Sequence, residues 1–240
     1  MSWKGKIIAC GNNAKTIKGD GSEYLTAILY MKPYKVVAGG KTFNSCAMAD
    51  QASCVDGCLN TAGRGQMNSV QDARERKAVW FYTDRAGFMA QLVDDVQRFV
   101  AYCAKRNIQP CVRLNGTTDI RWELIKVDGL CLMEMFPQVQ WYDYTKIPNR
   151  KVKHLSNYHL TWSYSAANPH YAQMLSEARK AGMNVAVVFR TKQTIPNVWQ
   201  GLPTVDGDAD DLRFKDPAGV CVALYAKGDA KRDTTGFVQD

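Results

Sequence analysis

One stretch of the chain reads Asn168-Pro-His-Tyr-Ala-Gln-Met-Leu-Ser-Glu-Ala-Arg-Lys-Ala-Gly-Met-Asn-Val-Ala-Val-Val-Phe189. Its first part predicts a helix, because Asn168-Pro169 is a typical helix start, apolar residues recur at intervals of three and four, and Gly182 is a typical stop. Its last part, residues 184–189, is a short apolar run that predicts a buried strand. A helix leading directly into a buried strand is the unit from which parallel sheets are built.

The same alternation of helix and strand recurs along the last two-thirds of the chain. Apolar runs predict strands at residues 111–114, 139–144, 159–164 and 220–225. The predicted strands begin ~20–35 residues apart, which leaves room for a helix between neighbours. Asp84 predicts the start of a further helix, since aspartate is a favoured N-cap residue. This pattern is typical of a parallel α/β sheet.

A first unit of the same kind is expected before these strands. Lys41-Thr-Phe43 is a plausible strand end, followed by a cysteine-rich loop and a helix. Counting it, we expect an α/β fold, a partial (β/α) barrel of about six parallel strands instead of the complete eight. Residues 24–30 are expected to form an N-terminal strand or hairpin extension. Without a linker, repeat or low-complexity tract, residues 1–240 are treated as a single domain.

The composition is that of an ordinary globular protein, with 46% hydrophobic and 22% charged residues. No apolar run approaches the ~18 residues that span a bilayer, and residues 1–6 lack the apolar core of a signal peptide. We therefore expect a cytoplasmic protein with reduced cysteines and no membrane partner. The net charge of +8 fits an anionic partner such as nucleic acid, or simply a solvated basic surface. The oligomeric state stays open.

Three of the eight cysteines lie on one short stretch, Cys46-x7-Cys54-x3-Cys58, among polar loop residues. Three thiolates can hold three irons of a cubane cluster and leave the fourth iron open, or hold a zinc ion with one position vacant. The paired Cys-x2-Cys knuckles of structural zinc sites are absent. Three buried thiols without a metal are the remaining alternative.

Polar side chains follow several of the predicted strands, at the edge where parallel α/β sheets bind ligands. The run Asn115-Gly-Thr-Thr-Asp119 offers donors and acceptors suited to an amino-acid or ribose group, or is merely the turn that any buried strand needs. Arginine and lysine at this edge are suited to an anionic group. The candidate binding residues are Asn115, Thr117, Asp119, Ser163, Arg190 and Lys227.

The acidic run Asp206-Gly-Asp-Ala-Asp-Asp211 does not follow the calcium-binding EF-hand pattern. Asp211 stands where that pattern requires glycine, and Pro217 stands where it requires glutamate. We interpret the run as an acidic turn whose carboxylates can pair with Arg213.

Several separated motifs resemble those of a family of phage proteins known as gene eighty-eight-like. They are Ser53-Cys-Val-Asp-Gly-Cys-Leu-Asn-Thr-Ala-Gly-Arg-Gly65, Val70-Gln-Asp-Ala-Arg74, Gly201-Leu-Pro-Thr-Val-Asp-Gly-Asp208, Asp211-Leu-Arg-Phe-Lys-Asp-Pro217, Ala226-Lys-Gly228 and Gly11-Asn-Asn13. That family looks like a shortened relative of radical S-adenosylmethionine enzymes, in which the first loop of a partial barrel carries three cysteines. The resemblance implies a [4Fe-4S] cluster on Cys46, Cys54 and Cys58, with S-adenosylmethionine on the open iron.

The chain departs from the enzyme pattern at two places. Its cysteine spacing differs from Cys-x3-Cys-x2-Cys, and Arg113-Leu-Asn-Gly116 stands where a Gly-Gly-Glu motif is usual. Two hypotheses follow. In the first, the protein is a radical S-adenosylmethionine enzyme: Asn115, Thr117, Asp119 and Ser163 orient the cofactor, while Arg190 and Lys227 hold an anionic group of the substrate. In the second, it is a non-catalytic cluster-bearing module that binds nucleic acid or a host protein. A zinc protein is the third alternative.

Overall fold

The computed structural model describes residues 2–11 and 23–240. Asn12 and Asn13 of the family-like motif Gly11-Asn-Asn13 therefore lie outside the described residues. The described strands are β1 (Trp3–Lys4), β2 (Ile8–Cys10), β3 (Tyr24–Leu29), β4 (Lys35–Ala38), β5 (Lys41–Asn44), β6 (Gln109–Arg113), β7 (Gln140–Thr145), β8 (Tyr158–Ser163), β9 (Asn184–Phe189), β10 (Val198–Trp199), β11 (Leu202–Asp206), β12 (Cys221–Tyr225) and β13 (Val238–Gln239). The described α-helices are α1 (Asn68–Thr83), α2 (Arg85–Ala104), α3 (Leu132–Met135), α4 (Pro169–Gln173) and α5 (Leu175–Lys180).

Eleven of the described strands form one open sheet. Its neighbour order is β1-β2-β3-β6-β7-β8-β9-β12-β11-β10, with β13 beside β9. From β3 to β11 the neighbouring strands are parallel, whereas β1, β2 and β10 add antiparallel edges. In the described chain β1 and β10 do not pair with each other, so the sheet does not close. The chain thus forms a mixed eleven-stranded open sheet with antiparallel edges, and the prediction of a partial (β/α) barrel with about six parallel strands is wrong.

Two details explain that error. Residues 24–30 were expected to be an appended extension, but β3 lies inside the sheet and pairs in parallel with β6. Lys41-Thr-Phe43 was expected to end the first parallel strand, but it belongs to the separate β4–β5 hairpin. Both stretches are short runs of strand-forming residues, and only the burial that tertiary packing provides separates an interior strand from an exposed hairpin.

Helices cover one face of the sheet, called here the helix face. Alternate strand residues point to it, and Val112, Trp141, Trp162 and Val187 are buried there in the main core with residues of α1 and α2. Asn168 starts α4 as predicted, since its side chain accepts a hydrogen bond from the backbone N–H of His170. The expected single helix is two short ones, α4 and α5.

A segment without an α-helix, residues 207–219 between β11 and β12, covers the opposite face; it contains one 3-10 turn, Arg213–Lys215. Phe214 packs against Tyr24 and Tyr142, with ring centroids 5.1 and 5.4 Å apart. Arg113 of β6 pairs with Asp211, and both side chains are buried. Arg213 pairs with Asp210, as expected for the acidic run. It also pairs with Asp216, which lies beyond that run.

The last described strand enters the sheet beside β9. The first half of β9 pairs with β8, whereas Val188 and Phe189 pair with β13. Phe237 and Val238 are buried at this junction. None of the described helices is long and apolar enough to cross a membrane.

Candidate metal centre

The cysteine loop, residues 46–58, lies at the carboxyl edge of the parallel strands. The backbone N–H of Asp119, which follows β6, donates to the carbonyl of Ser45 at 2.8 Å. The hydroxyl of Ser165, which follows β8, donates to the carbonyl of Ala52 at 2.7 Å. Phe237 packs on Gly57 so closely that a Cβ there would stand 3.0 Å from the ring. Elements far apart in the sequence thus fix the loop at the edge where α/β sheets bind ligands.

Local turns fold the loop compactly. The backbone N–H groups of Ala49, Ala52 and Cys54 donate to carbonyls three to five residues earlier, at 3.0 to 3.3 Å. Ser53 adopts a φ of 48°, in the left-handed region that non-glycine residues rarely occupy. This reversal directly precedes Cys54 and directs the chain toward Cys58.

The three thiols of the loop are half-buried and form no disulfide. The Cys46 Sγ accepts a hydrogen bond from the Tyr34 N–H at 3.4 Å, and the Cys58 Sγ accepts one from the Asn60 N–H at 3.4 Å. Cys54 packs against the apolar cluster that contains Phe237. Two of the thiols therefore already receive backbone N–H donors of the kind that stabilise thiolates.

The thiols also lie close enough to affect one another's titration. Burial raises the pKa of Cys46 to about 12, and Asp119, Cys58 and Cys54 add to the rise. Burial likewise raises the pKa of Cys58, and Cys54 adds to that rise. Without a metal the thiols of Cys46 and Cys58 stay protonated at neutral pH, so metal binding to them would release protons.

Two cations stand beside the thiols. Burial lowers the pKa of Lys146, while Cys54, Asp119 and Cys58 act to raise it. Its Nζ donates to the carbonyl of Tyr164 at 3.4 Å and lies 4.5 Å from the centroid of the Phe237 ring. It therefore faces the thiols without forming a salt bridge in the described part of the chain.

Arg74 is the second cation and is buried. Its Nη1 donates to the carbonyl and the side-chain oxygen of Asn60, at 2.7 and 2.6 Å. Its positive charge acts to lower the pKa of Cys58. Cations next to cysteines favour the thiolate form, which is the form that binds metals.

Two of the predicted binding residues, Thr117 and Asp119, lie directly beside Cys46. Thr117 Oγ1 donates to the carbonyl of Met31 at 2.6 Å. Asp119 accepts hydrogen bonds from Thr145 Oγ1 at 2.8 Å and from the Lys146 N–H at 2.7 Å. The structure thus brings Thr117 and Asp119 to the loop with their side chains engaged inside the chain.

Asn115 is the organiser of the turn after β6. Its side-chain oxygen accepts hydrogen bonds from Thr118 Oγ1, the Ile120 N–H and Trp122 Nε1, at 2.9 to 3.1 Å. Its Nδ2 donates to the carbonyl of Ile120 at 3.0 Å. These bonds fix the turn on which Asp119 stands, opposite Cys46.

The other three predicted residues lie elsewhere along the edge. Ser163 ends β8, and its carbonyl accepts a hydrogen bond from the Tyr171 hydroxyl at 2.8 Å. Arg190 bonds to Asp240 Oδ1 at 2.8 Å and to the carbonyl of Asp233 at 2.7 Å. Lys227 pairs with Asp208. Arg190 lines a separate cleft and does not join the cysteine loop.

Arg74, Lys146 and Phe237 were not assigned to the site from sequence. Arg74 stands in one of the family-like motifs, and Lys146 follows a predicted strand at the expected edge, so each carried a usable signal. Phe237 carried none, because only the pairing of β13 with β9 brings it over the loop.

In residues 2–11 and 23–240, no group of three or more His, Cys, Asp and Glu side chains is arranged to hold a single metal ion. A zinc ion requires each thiolate sulfur at ~2.3 Å from one point. In a cubane cluster each iron takes its own thiolate, so the thiolates stand farther apart than around one ion.

Comparison with known proteins gives one match. A family model described as Gene product 88 (GP88) matches residues 6–240, which confirms the family indicated by the sequence motifs. No curated protein and no solved structure matches the chain. The resemblance to radical S-adenosylmethionine enzymes finds no support in these comparisons.

Proposed function

This chain belongs to the Gene product 88 family, and we propose that it is an iron–sulfur protein that holds a [4Fe-4S] cluster through Cys46, Cys54 and Cys58. The observation that carries the proposal is the meeting of three half-buried thiols on one loop with the cations Lys146 and Arg74. Arg74 is buried and forms no salt bridge among the described residues, and such a cation is costly unless another negative charge balances it. Thiolates around a cluster would supply that charge.

The remaining cysteines argue for an open position on the cluster. All five are buried within the core, and none lies on the loop: Cys10, Cys103, Cys111, Cys131 and Cys221. Three thiolates would therefore hold three irons and leave the fourth for another ligand. When bound, such a cluster supplies one-electron chemistry and an open iron that accepts a donor atom. S-adenosylmethionine is the proposed donor under the first hypothesis.

The chain's own residues would position the cluster and limit its access to water. Asn115, Thr117 and Asp119 fix the turn behind Cys46, and Phe237 covers the loop beside Cys54. Hydrogen bonds to Cys46 and Cys58 from backbone N–H groups would hold these two sulfurs in place.

Metal analysis tests the proposal directly. Iron and acid-labile sulfide are counted per chain in protein purified without oxygen, for the wild type and for Cys46→Ala, Cys54→Ala and Cys58→Ala. Each of these substitutions is expected to lower both counts strongly, whereas the buried control Cys103→Ala leaves them unchanged. Zinc without sulfide in the wild type would support the zinc alternative, and loss of the cluster in Cys103→Ala alone would overturn the ligand set.

A second candidate, a cluster-bearing module without catalysis, is favoured by one observation. The side chains of Asn115, Thr117 and Asp119 already make hydrogen bonds inside the chain, so few of their donors and acceptors stay open to a cofactor. Titration of the cluster-loaded protein with S-adenosylmethionine separates the two. Binding, followed by release of 5′-deoxyadenosine after reduction, supports the enzyme; an intact cluster without binding supports the module.

A further inference from the structure

A basic cleft of about 420 Å³ opens at the carboxyl ends of β9 and β12. Ligands of parallel α/β sheets bind at this edge, and the volume is within the ~300–1,000 Å³ range of small-molecule sites. We propose that this cleft binds a nucleotide through its phosphate group. Its principal lining residues are Arg190, Thr191, Lys192, Gln193, Tyr225 and Lys231.

The charge of the cleft is the first argument. Arg190, Lys192 and Lys231 line it and no carboxylate is among the lining residues, although Arg190 itself pairs with Asp240 beside the cleft. Lys192 and Lys231 form no salt bridge in the chain as far as the structure describes it, so their charges are open to a ligand. The Arg190 side chain is fixed, since its Nη1 donates to the carbonyls of Asp233 and Lys231 at 2.7 and 3.3 Å. An arginine held in place beside exposed lysines is a combination suited to phosphate.

The aromatic ring of Tyr225 is the second argument. Lys192 Nζ lies 5.2 Å from its centroid and Lys227 Nζ lies 4.6 Å from it. A cation over an aromatic ring at an exposed site is only weakly held. Lys192 can therefore leave the ring for a charge-assisted bond to phosphate, which is stronger. The ring face that it uncovers is then open to stacking by a base.

The hydroxyl of Thr191 and the amide of Gln193 complete the lining with groups that can hydrogen-bond to phosphate or sugar oxygens. The cleft thus combines cations, hydrogen-bonding side chains and an aromatic ring, the three kinds of contact that a nucleotide uses. This inference does not rest on the cluster, because no cysteine lines the cleft.

Calorimetric titration of the full chain at low salt tests the inference. The probes are 5′-AMP, inorganic phosphate and adenosine. We expect 5′-AMP to bind, inorganic phosphate to bind more weakly, and adenosine not to bind measurably. Absence of 5′-AMP binding would overturn the inference, and equal affinities for 5′-AMP and inorganic phosphate would overturn the assignment to a nucleotide.

Substitutions locate the binding. The double substitution Lys192→Gln with Lys231→Gln is expected to weaken the binding of 5′-AMP at least about tenfold, which corresponds to ~1.4 kcal/mol. Tyr225→Leu should weaken the binding of 5′-AMP while leaving the affinity for inorganic phosphate unchanged. Lys151→Gln, at an exposed lysine outside the cleft, serves as the control. Because Lys192 and Lys231 are both exposed, the double variant should fold. If the double variant and Tyr225→Leu bind 5′-AMP as tightly as the wild type, the binding site lies elsewhere and the inference is overturned.

Discussion

Asp143 is a fully buried carboxyl group at the sheet's helix face. It accepts hydrogen bonds from the Asn115 N–H at 2.8 Å and from the Tyr158 hydroxyl at 3.1 Å. Arg113 and Arg150 act to lower its pKa, but burial is the larger effect and raises the pKa to about 6. The fold therefore favours the protonated carboxylic acid.

This shift predicts a specific dependence of stability on pH. The pKa of Asp143 in the folded protein lies above its unfolded value of about 3.9. The stabilisation of the folded state by protonated Asp143 is therefore complete below pH ~4 and is lost as pH rises through ~6. Asp143→Asn keeps the shape but cannot titrate. Relative to that variant, the wild type should lose on the order of 3 kcal/mol of unfolding free energy between pH ~4 and ~7. Urea denaturation at several pH values measures it; parallel pH curves for the two proteins would contradict it.

At the scale of elements, the segment of residues 207–219 places the charged side chain of Asp211 against Arg113 of the sheet. The buried pair of Arg113 and Asp211 predicts that Asp211→Ala costs about 3–5 kcal/mol, because the arginine is left uncompensated in the core. The double substitution Arg113→Met with Asp211→Leu should be less destabilising than Asp211→Ala alone. Asp229→Ala, which removes an exposed pair with Arg232, is the control and should cost less than ~1 kcal/mol. Urea midpoints decide among these outcomes.

The elements predicted well from sequence are those with a local signal. Strands β6, β7, β8, β9 and β12 were each expected within a few residues, since each is an apolar run between polar turns. Asp84 was correctly predicted to start a helix, and its side chain caps α2 by accepting from the Gly87 N–H at 2.9 Å. The short strands β1, β10 and β13 have two residues each, too few for any periodicity. Their positions depend on partners distant in the chain, as does the interior place of β3.

The candidate site divides in the same way. Three cysteines among polar loop residues could be recognised from sequence, because composition and spacing are local properties. The cations could not be ranked among the 31 lysines and arginines of the chain, because only the fold decides that Lys146 and Arg74 face the thiols. That Phe237 covers the cysteine loop could not be predicted, because it depends on the pairing of β13 with β9 in the folded sheet.

At the scale of the whole molecule, residues 46–58 are closed over by residues 226–238. Phe237 is buried in the apolar cluster against which Cys54 packs. Phe237→Ala should therefore expose Cys54 and raise its rate of alkylation by iodoacetamide about tenfold or more in the metal-free protein, since local opening then costs less. Phe214→Ala, on the opposite face of the sheet, should leave that rate unchanged. Mass spectrometry of the labelled peptide measures both, and equal rates in all three proteins would contradict the role of Phe237 as a cover.

The pairing of β13 with β9 also has a consequence for biosynthesis. A ribosome makes the chain from its amino end, so residues 237–239 emerge after every other described strand. During that interval the carboxyl end of β9 lacks its neighbour, and the cysteine loop lacks the ring that covers it. The nascent chain thus leaves Cys54 without its cover while the earlier strands can already pair. For the cluster proposed above, iron and sulfide would reach the loop most readily before β13 pairs with β9, and that pairing would narrow their route.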